Sequence, residues 1–111
     1  MQKPLRVFII VRVRGSHLAF QSWLKMIEAV LTTDYKSKMK NRLFGLLCEY
    51  EKGREWRKFL DGILIELEGF PETLRSSAYY HLYFNLSACY RLSYEYFRST
   101  IFDCMSLVEK L

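Results

Sequence analysis

Apolar side chains in this chain return every three or four residues over most of its length. That period is the helical one, and it restricts the fold to helices that bury one stripe each against a neighbour. The clearest window holds Trp56, Phe59, Leu60, Ile63 and Leu67 on one face, with Arg57, Lys58, Asp61, Glu66 and Glu68 mostly off it. The same spacing joins Phe20, Trp23, Leu24, Ile27, Val30 and Leu31 behind Ser16, whose hydroxyl suits an N-cap. It recurs in Met39, Leu43, Leu46, Leu47 and Tyr50, and again in Phe97, Ile101, Cys104, Val108 and Leu111.

Punctuation divides these stripes. Thr32, Thr33 and Asp34 bond readily to their own backbone and predict a turn, so the next helix is placed over 35–51. Gly53 and Gly69 supply stops, and Pro71 suits the first position of a helix over 71–91 because its missing amide hydrogen would be unpaired there. In that helix Leu74, Ala78, Leu82, Leu86 and Cys89 share a face, while Tyr79, Tyr80, Tyr83, Phe84 and Tyr90 spread around the others. Apolar surface on most sides predicts a central helix, about 30 Å long at 1.5 Å per residue. Leu92-Ser93-Tyr94 forms the last connection. Joints of about two to five residues favour antiparallel neighbours. The expected fold is all-α: about five antiparallel helices stacked as helical hairpins in a HEAT/armadillo-like manner. It occupies residues 16–111 as a single domain behind a basic segment, 1–15, that receives no assignment.

The 111 residues and 13.3 kDa suit one compact domain. Half the residues are hydrophobic, which excludes a disordered chain. Three cysteines without a close-spaced motif argue against a secreted disulfide framework and for a reducing compartment. No apolar run reaches the roughly 20 residues that cross a bilayer. The net charge of +5 is concentrated at the start: residues 1–27 carry Lys3, Arg6, Arg12, Arg14 and Lys25 and no acid, and the remainder sums to zero. This start reads as a first structural element with snorkelling arginines, as a mitochondrial targeting segment, or as an arm for an anionic partner. The β-branched run Val7-Phe8-Ile9-Ile10-Val11 weakens the targeting helix, and five cations without interleaved glycine give little support to nucleic acid as a partner.

Catalytic and cofactor signatures are missing from the sequence. The glycines fit neither phosphate-loop nor dinucleotide spacing, and His17 and His81 stand far apart with no paired-cysteine motif. Cys89 and Cys104 fall on apolar stripes, where cysteine packs as a small hydrophobe, and Cys48 follows Leu46 and Leu47. Glu49, Glu51 and Glu55 mix with Lys52, Arg54 and Arg57 around a glycine, the pattern of a solvated corner. A non-enzymatic protein without cofactor or metal is the expectation. Its candidate partner contacts are Lys36, Lys38, Lys40 and Arg42, four cations within seven residues, together with Tyr80 and Tyr83. The competing reading of the cations is an ordinary solvated helix face. For the aromatics it is packing within the chain.

Successive amphipathic helices joined by tight turns resemble α-solenoid repeats. Tyr83-Phe84-Asn85-Leu86-Ser87 with Tyr90 looks like the first helix of a tetratricopeptide unit, but no second copy follows at a period of 34. The segment Pro71…Leu74-Arg75…Ala78, with proline opening a helix and arginine near its start, suits HEAT-like repeats better. Within that class the order of three segments resembles the C-terminal helical region of the tubulin-folding cofactor D family. They are residues 24–32, Lys58-Phe59-Leu60-Asp61-Gly62-Ile63, and Phe70-Pro71 leading into Leu74-Arg75-Ser76-Ser77-Ala78; a last helix from Phe97-Arg98-Ser99-Thr100 follows. The resemblance implies a piece of a longer cytoplasmic scaffold that handles β-tubulin with other tubulin cofactors and a small GTPase. It carries no site residue over to this chain, and the basic start departs from it.

Overall fold

The computed structural model describes residues 32–111, and every regular element among them is helical. Helix α1 spans Thr33–Glu51, α2 Trp56–Glu68, α3 Ser77–Ala88 and α4 Tyr94–Glu109, with 3₁₀ turns at Glu72–Leu74 and Cys89–Arg91. The expected helix from Ser16 and the basic segment 1–15 lie outside the described residues. Four of the five expected helices therefore fall within them.

The chemistry of the helix ends explains where the boundaries fall. Thr32 is extended, and its hydroxyl accepts the Tyr35 amide at 3.1 Å. The Thr-Thr-Asp run thus begins α1 instead of preceding it. Asp34 joins the first turn, where the positive end of the helix favours a carboxylate. At the other end Gly53 takes φ 66°, a left-handed conformation that side chains resist, and the Gly53 and Arg54 amides close onto the Tyr50 and Glu49 carbonyls at 3.0 Å.

The single helix expected over 71–91 is corrected to a shorter α3 flanked by two 3₁₀ turns. Pro71 is extended at ψ 149°, Glu72–Leu74 make one tight turn, and Arg75 leaves helical space at ψ 81°. Ser76 then starts afresh, its hydroxyl accepting the Tyr79 amide at 3.1 Å. The Arg75 guanidinium donates to the Phe70 carbonyl at 3.0 Å and the Glu68 carbonyl at 2.9 Å, which ties the reversal to the end of α2. Two adjacent serines offered a better cap than Pro71 offered a start. The resulting helix of 12 residues is about 18 Å long.

The helices form a ring. α1 packs chiefly on α2 and α4, and α3 packs on the same two. Each neighbour runs antiparallel. Tyr50 near the end of α1 stacks on Phe97 near the start of α4 with centroids 3.9 Å apart, whereas Lys36 at the start of α1 reaches the Glu109 carbonyl at the end of α4. Among the described residues this ring has the connectivity of an up-down-up-down bundle. Its middle is aliphatic, with Leu43, Leu46, Leu60, Ile63, Leu82, Leu86 and Ile101 buried. Both ends are aromatic. Tyr50, Trp56 and Phe97 close one, with Tyr90 6.3 Å from Trp56; Tyr35, Phe70 and Tyr79 close the other. Apart from the Tyr79 hydroxyl, no polar or charged side chain among the described residues is buried.

Most of the expected stripes face this core, and two sides need correcting. Phe59 is 45% exposed at the α1 edge of α2, where it lies over Gly45, and Leu64 takes the inner position. α3 is not central. Tyr79, Leu82 and Leu86 point inward, Leu74 and Ala78 are half-buried, and Tyr80, His81 and Phe84 form an outer edge. Among the described residues the helix has two principal neighbours, α2 and α4.

Candidate protein-interaction surface

The four cations expected to act together are divided by helix geometry, since residues two apart point to opposite sides. Lys36 and Lys40 turn toward α4: the Lys36 ammonium donates to the Glu109 carbonyl at 3.1 Å and Lys40 pairs with the Glu109 carboxylate. Lysine at a helix C-terminus also meets the negative end of the dipole. Lys40 holds the Glu109 carboxyl below its usual range. Arg42 turns the other way and pairs with Glu66 of α2, whose second oxygen accepts the Tyr35 hydroxyl at 3.0 Å. Lys38 stands outside both seams and pairs with Asp34 at 3.1 Å, both side chains largely exposed. The cluster is thus two interhelical clamps and one surface pair.

The expected tyrosines separate in the same way. Tyr83 leans onto α2, its hydroxyl donating to Glu68 at 2.6 Å, and this bond raises its pKa. Tyr79, which donates to the Leu67 carbonyl at 2.6 Å, is buried beneath it with the rings stacked 6.3 Å apart. Tyr80 is the outward member, 41% exposed, and stacks on Phe84, 63% exposed, with centroids at 6.4 Å. Phe84 in turn meets Tyr83 edge-on at 6.0 Å. The outcome is a continuous aromatic edge along α3, from Tyr83 through Phe84 to Tyr80. The i, i+4 step from Tyr80 to Phe84, off the Leu82–Leu86 face, was the signal for it, masked by the expectation that α3 is central.

The aromatics away from this edge are mostly structural. Trp56 is a core residue with the Arg57 guanidinium 4.4 Å above its ring. Tyr90 is half-buried, hydrogen-bonded to Asp61, and pushed up to about 12 by burial and then by that carboxylate. Tyr94 and Tyr96 are exposed at the start of α4, and Tyr94 donates to Glu51. Trp23 lies outside the described residues.

The exposed rings of this edge present faces that another molecule could stack on or bury. Cys89 and Cys104 are buried and their thiols are pushed up by that burial, Cys89 to about 12, so both stay protonated and unreactive. The acidic corner is internally paired, with Arg54 on Glu49 at 2.5 Å and Lys58 on Glu55 at 2.6 Å. Asn85 and Ser87 sit within α3. Among the described residues no group of three or more His, Cys, Asp or Glu side chains converges as a metal site. None of the described helices is long and apolar enough to cross a membrane. Shallow depressions of about 380 and 450 Å³ lie beside α4, the first along Tyr94, Arg98 and Phe102 and the second between Tyr50, Glu51 and Tyr94. No family model, curated protein or solved structure matches the chain.

Proposed function

We propose that the chain is a non-enzymatic helical protein-interaction module that binds its partner through the outer edge of α3. The observation that carries this reading is the Tyr80–Phe84 stack, held at the surface by Tyr83 and Glu68. Such rings are rigid and already ordered, so a partner gains their burial at little entropic cost, and tyrosine commonly supplies the centre of an interface. The resemblance to tubulin-folding cofactor D makes tubulin, in the cytoplasm, the partner to test first. HEAT-like stacking of about five helices is a finer proposal that the α3 edge does not require.

Purified tubulin heterodimer and the intact chain provide the test. Binding that the pair Tyr80→Ser and Phe84→Ser weakens by about tenfold, or roughly 1.4 kcal/mol, with helical content unchanged, supports the proposal. Equal binding by the double variant removes the α3 edge from the interface. No binding by the intact chain removes tubulin.

The acid-free start supports a second reading, a mitochondrial helical protein with a cleaved basic segment. Mass spectrometry of the N-terminus of the protein recovered from cells decides it: an intact Met1 excludes cleavage.

A further inference from the structure

Charge is unevenly distributed over the bundle. Residues 59–90 hold four acids, Asp61, Glu66, Glu68 and Glu72, against one basic residue, Arg75, in a chain whose net charge is +5. α3 itself contains no Asp, Glu, Lys or Arg. Glu66 is paired with Arg42, and Arg75 is engaged inward, on the Phe70 and Glu68 carbonyls and over the Tyr79 ring at 5.4 Å. That leaves Asp61, Glu68 and Glu72 exposed and, among the described residues, without an ion-pair partner.

Two of these carboxylates stand beside the aromatic edge of α3. Asp61, Ile65 and Glu68 follow one another on α2 at steps of four and three, so they share a side. Tyr90 and Tyr83 donate to Asp61 and Glu68, which fixes that side as the one turned toward α3. Each carboxylate keeps its charge and its remaining acceptor sites while it takes one hydroxyl. Ile65 between them is 68% exposed, and Phe84 and Tyr80 continue the apolar surface outward. Rings in this fold already take guanidinium groups: Arg57 lies over Trp56, Arg75 over Tyr79 and Arg98 over Phe102. Among the described residues Tyr80 and Phe84 carry none.

We infer that the α2–α3 edge seats a basic amphipathic segment of a partner protein, its arginine or lysine side chains paired with Asp61 and Glu68 and its apolar side chains packed on Ile65, Tyr80 and Phe84. This rests on the reading of the α3 edge as the docking surface and adds the chemistry of what docks. An acidic segment would bring like charges against the two carboxylates, and a neutral one would desolvate them without a counter-charge. Asp61 and Glu68 are seven residues apart, about 10.5 Å along α2, so cations two turns apart on a partner helix would meet both. The exposed ring faces attract the same cations.

The test is binding of fluorescein-labelled peptides to the intact chain, followed by anisotropy at about 0.15 M salt. One peptide is a leucine-rich helix with arginines seven residues apart; the other carries citrulline, the neutral isostere, in their place. The arginine peptide should bind about tenfold more tightly. Because the chain is +5 overall, general attraction works against that preference. Asp61→Asn with Glu68→Gln, which keeps an acceptor for each tyrosine, should remove the preference and leave the citrulline peptide unaffected. Tyr80→Ser with Phe84→Ser should weaken both peptides. Glu95→Gln with Asp103→Asn takes the same charge from the exposed side of α4 and should change neither. Equal affinity for the two peptides, or no binding of either, overturns the inference. So does a loss with Glu95→Gln and Asp103→Asn that matches the loss with Asp61→Asn and Glu68→Gln. Binding of both peptides that only Tyr80→Ser and Phe84→Ser weaken keeps the α3 edge as a docking surface and overturns its preference for cations, so the two failures are distinct.

Discussion

Gly53 shows how much one backbone angle decides. Its φ of 66° ends α1 and turns the chain into α2 within residues 52–55. Gly53→Ala should cost about 1–2 kcal/mol, read as a fall in the urea midpoint, although the added methyl would meet no atom within 4 Å. Tyr79→Phe tests a buried hydroxyl instead: loss of its 2.6 Å bond to the Leu67 carbonyl should cost about 1 kcal/mol. Tyr35 and Tyr90 add a pH dependence of definite sign. Burial, the leading cause in each, raises both from 10.0 to about 12, so the fold favours the protonated phenol. Below pH 10 this contribution is whole. Between about pH 10 and 12 the unfolded chain loses its protons first and stability falls as pH rises. Denaturant titrations at pH 9 and pH 11, set against Tyr35→Phe/Tyr90→Phe, should show a smaller loss in the variant.

At the scale of elements, caps decide length. Ser76→Ala removes the hydroxyl that accepts the Tyr79 amide and should cost about 1 kcal/mol, with a matching loss of amide protection in the first turn of α3. The stripes of α1, α2 and α4 were legible in the sequence because each helix buries one arc, and the periodic residues Met39, Leu43, Leu60, Ile63, Ile101 and Cys104 fill it. α3 was only partly legible. Proline and glycine around residue 70 gave a strong breaker signal that placed its start too early, and the weaker Ser76-Ser77 signal was overlooked. Its aromatics read as evidence of burial because spacing records apolarity without recording how many neighbours a helix has. Partnering of the cations was illegible for a related reason. Lys40 meets Glu109 and Arg42 meets Glu66, across 69 and 24 residues, and local pattern carries no information about those separations.

Considered whole, the bundle depends on closing α4 against α1. Phe97 is fully buried against Tyr50 and Trp56, at the end where three helices meet. Phe97→Ala should cost about 3–5 kcal/mol, a large share of the roughly 5–15 kcal/mol typical of a domain, and lower the melting midpoint accordingly. Phe102→Ala, on the outer side of the same helix, should cost far less. The closure has a consequence for synthesis. Contacts between α1 and α4 join residues 43 to 73 positions apart, so α1 leaves the ribosome well before the helix that shelters it. At about 5–20 residues per second, that interval lasts several seconds. Nascent chains stalled ahead of Tyr94 should therefore remain open to protease within α1, and emergence of α4 should close that window in a single step.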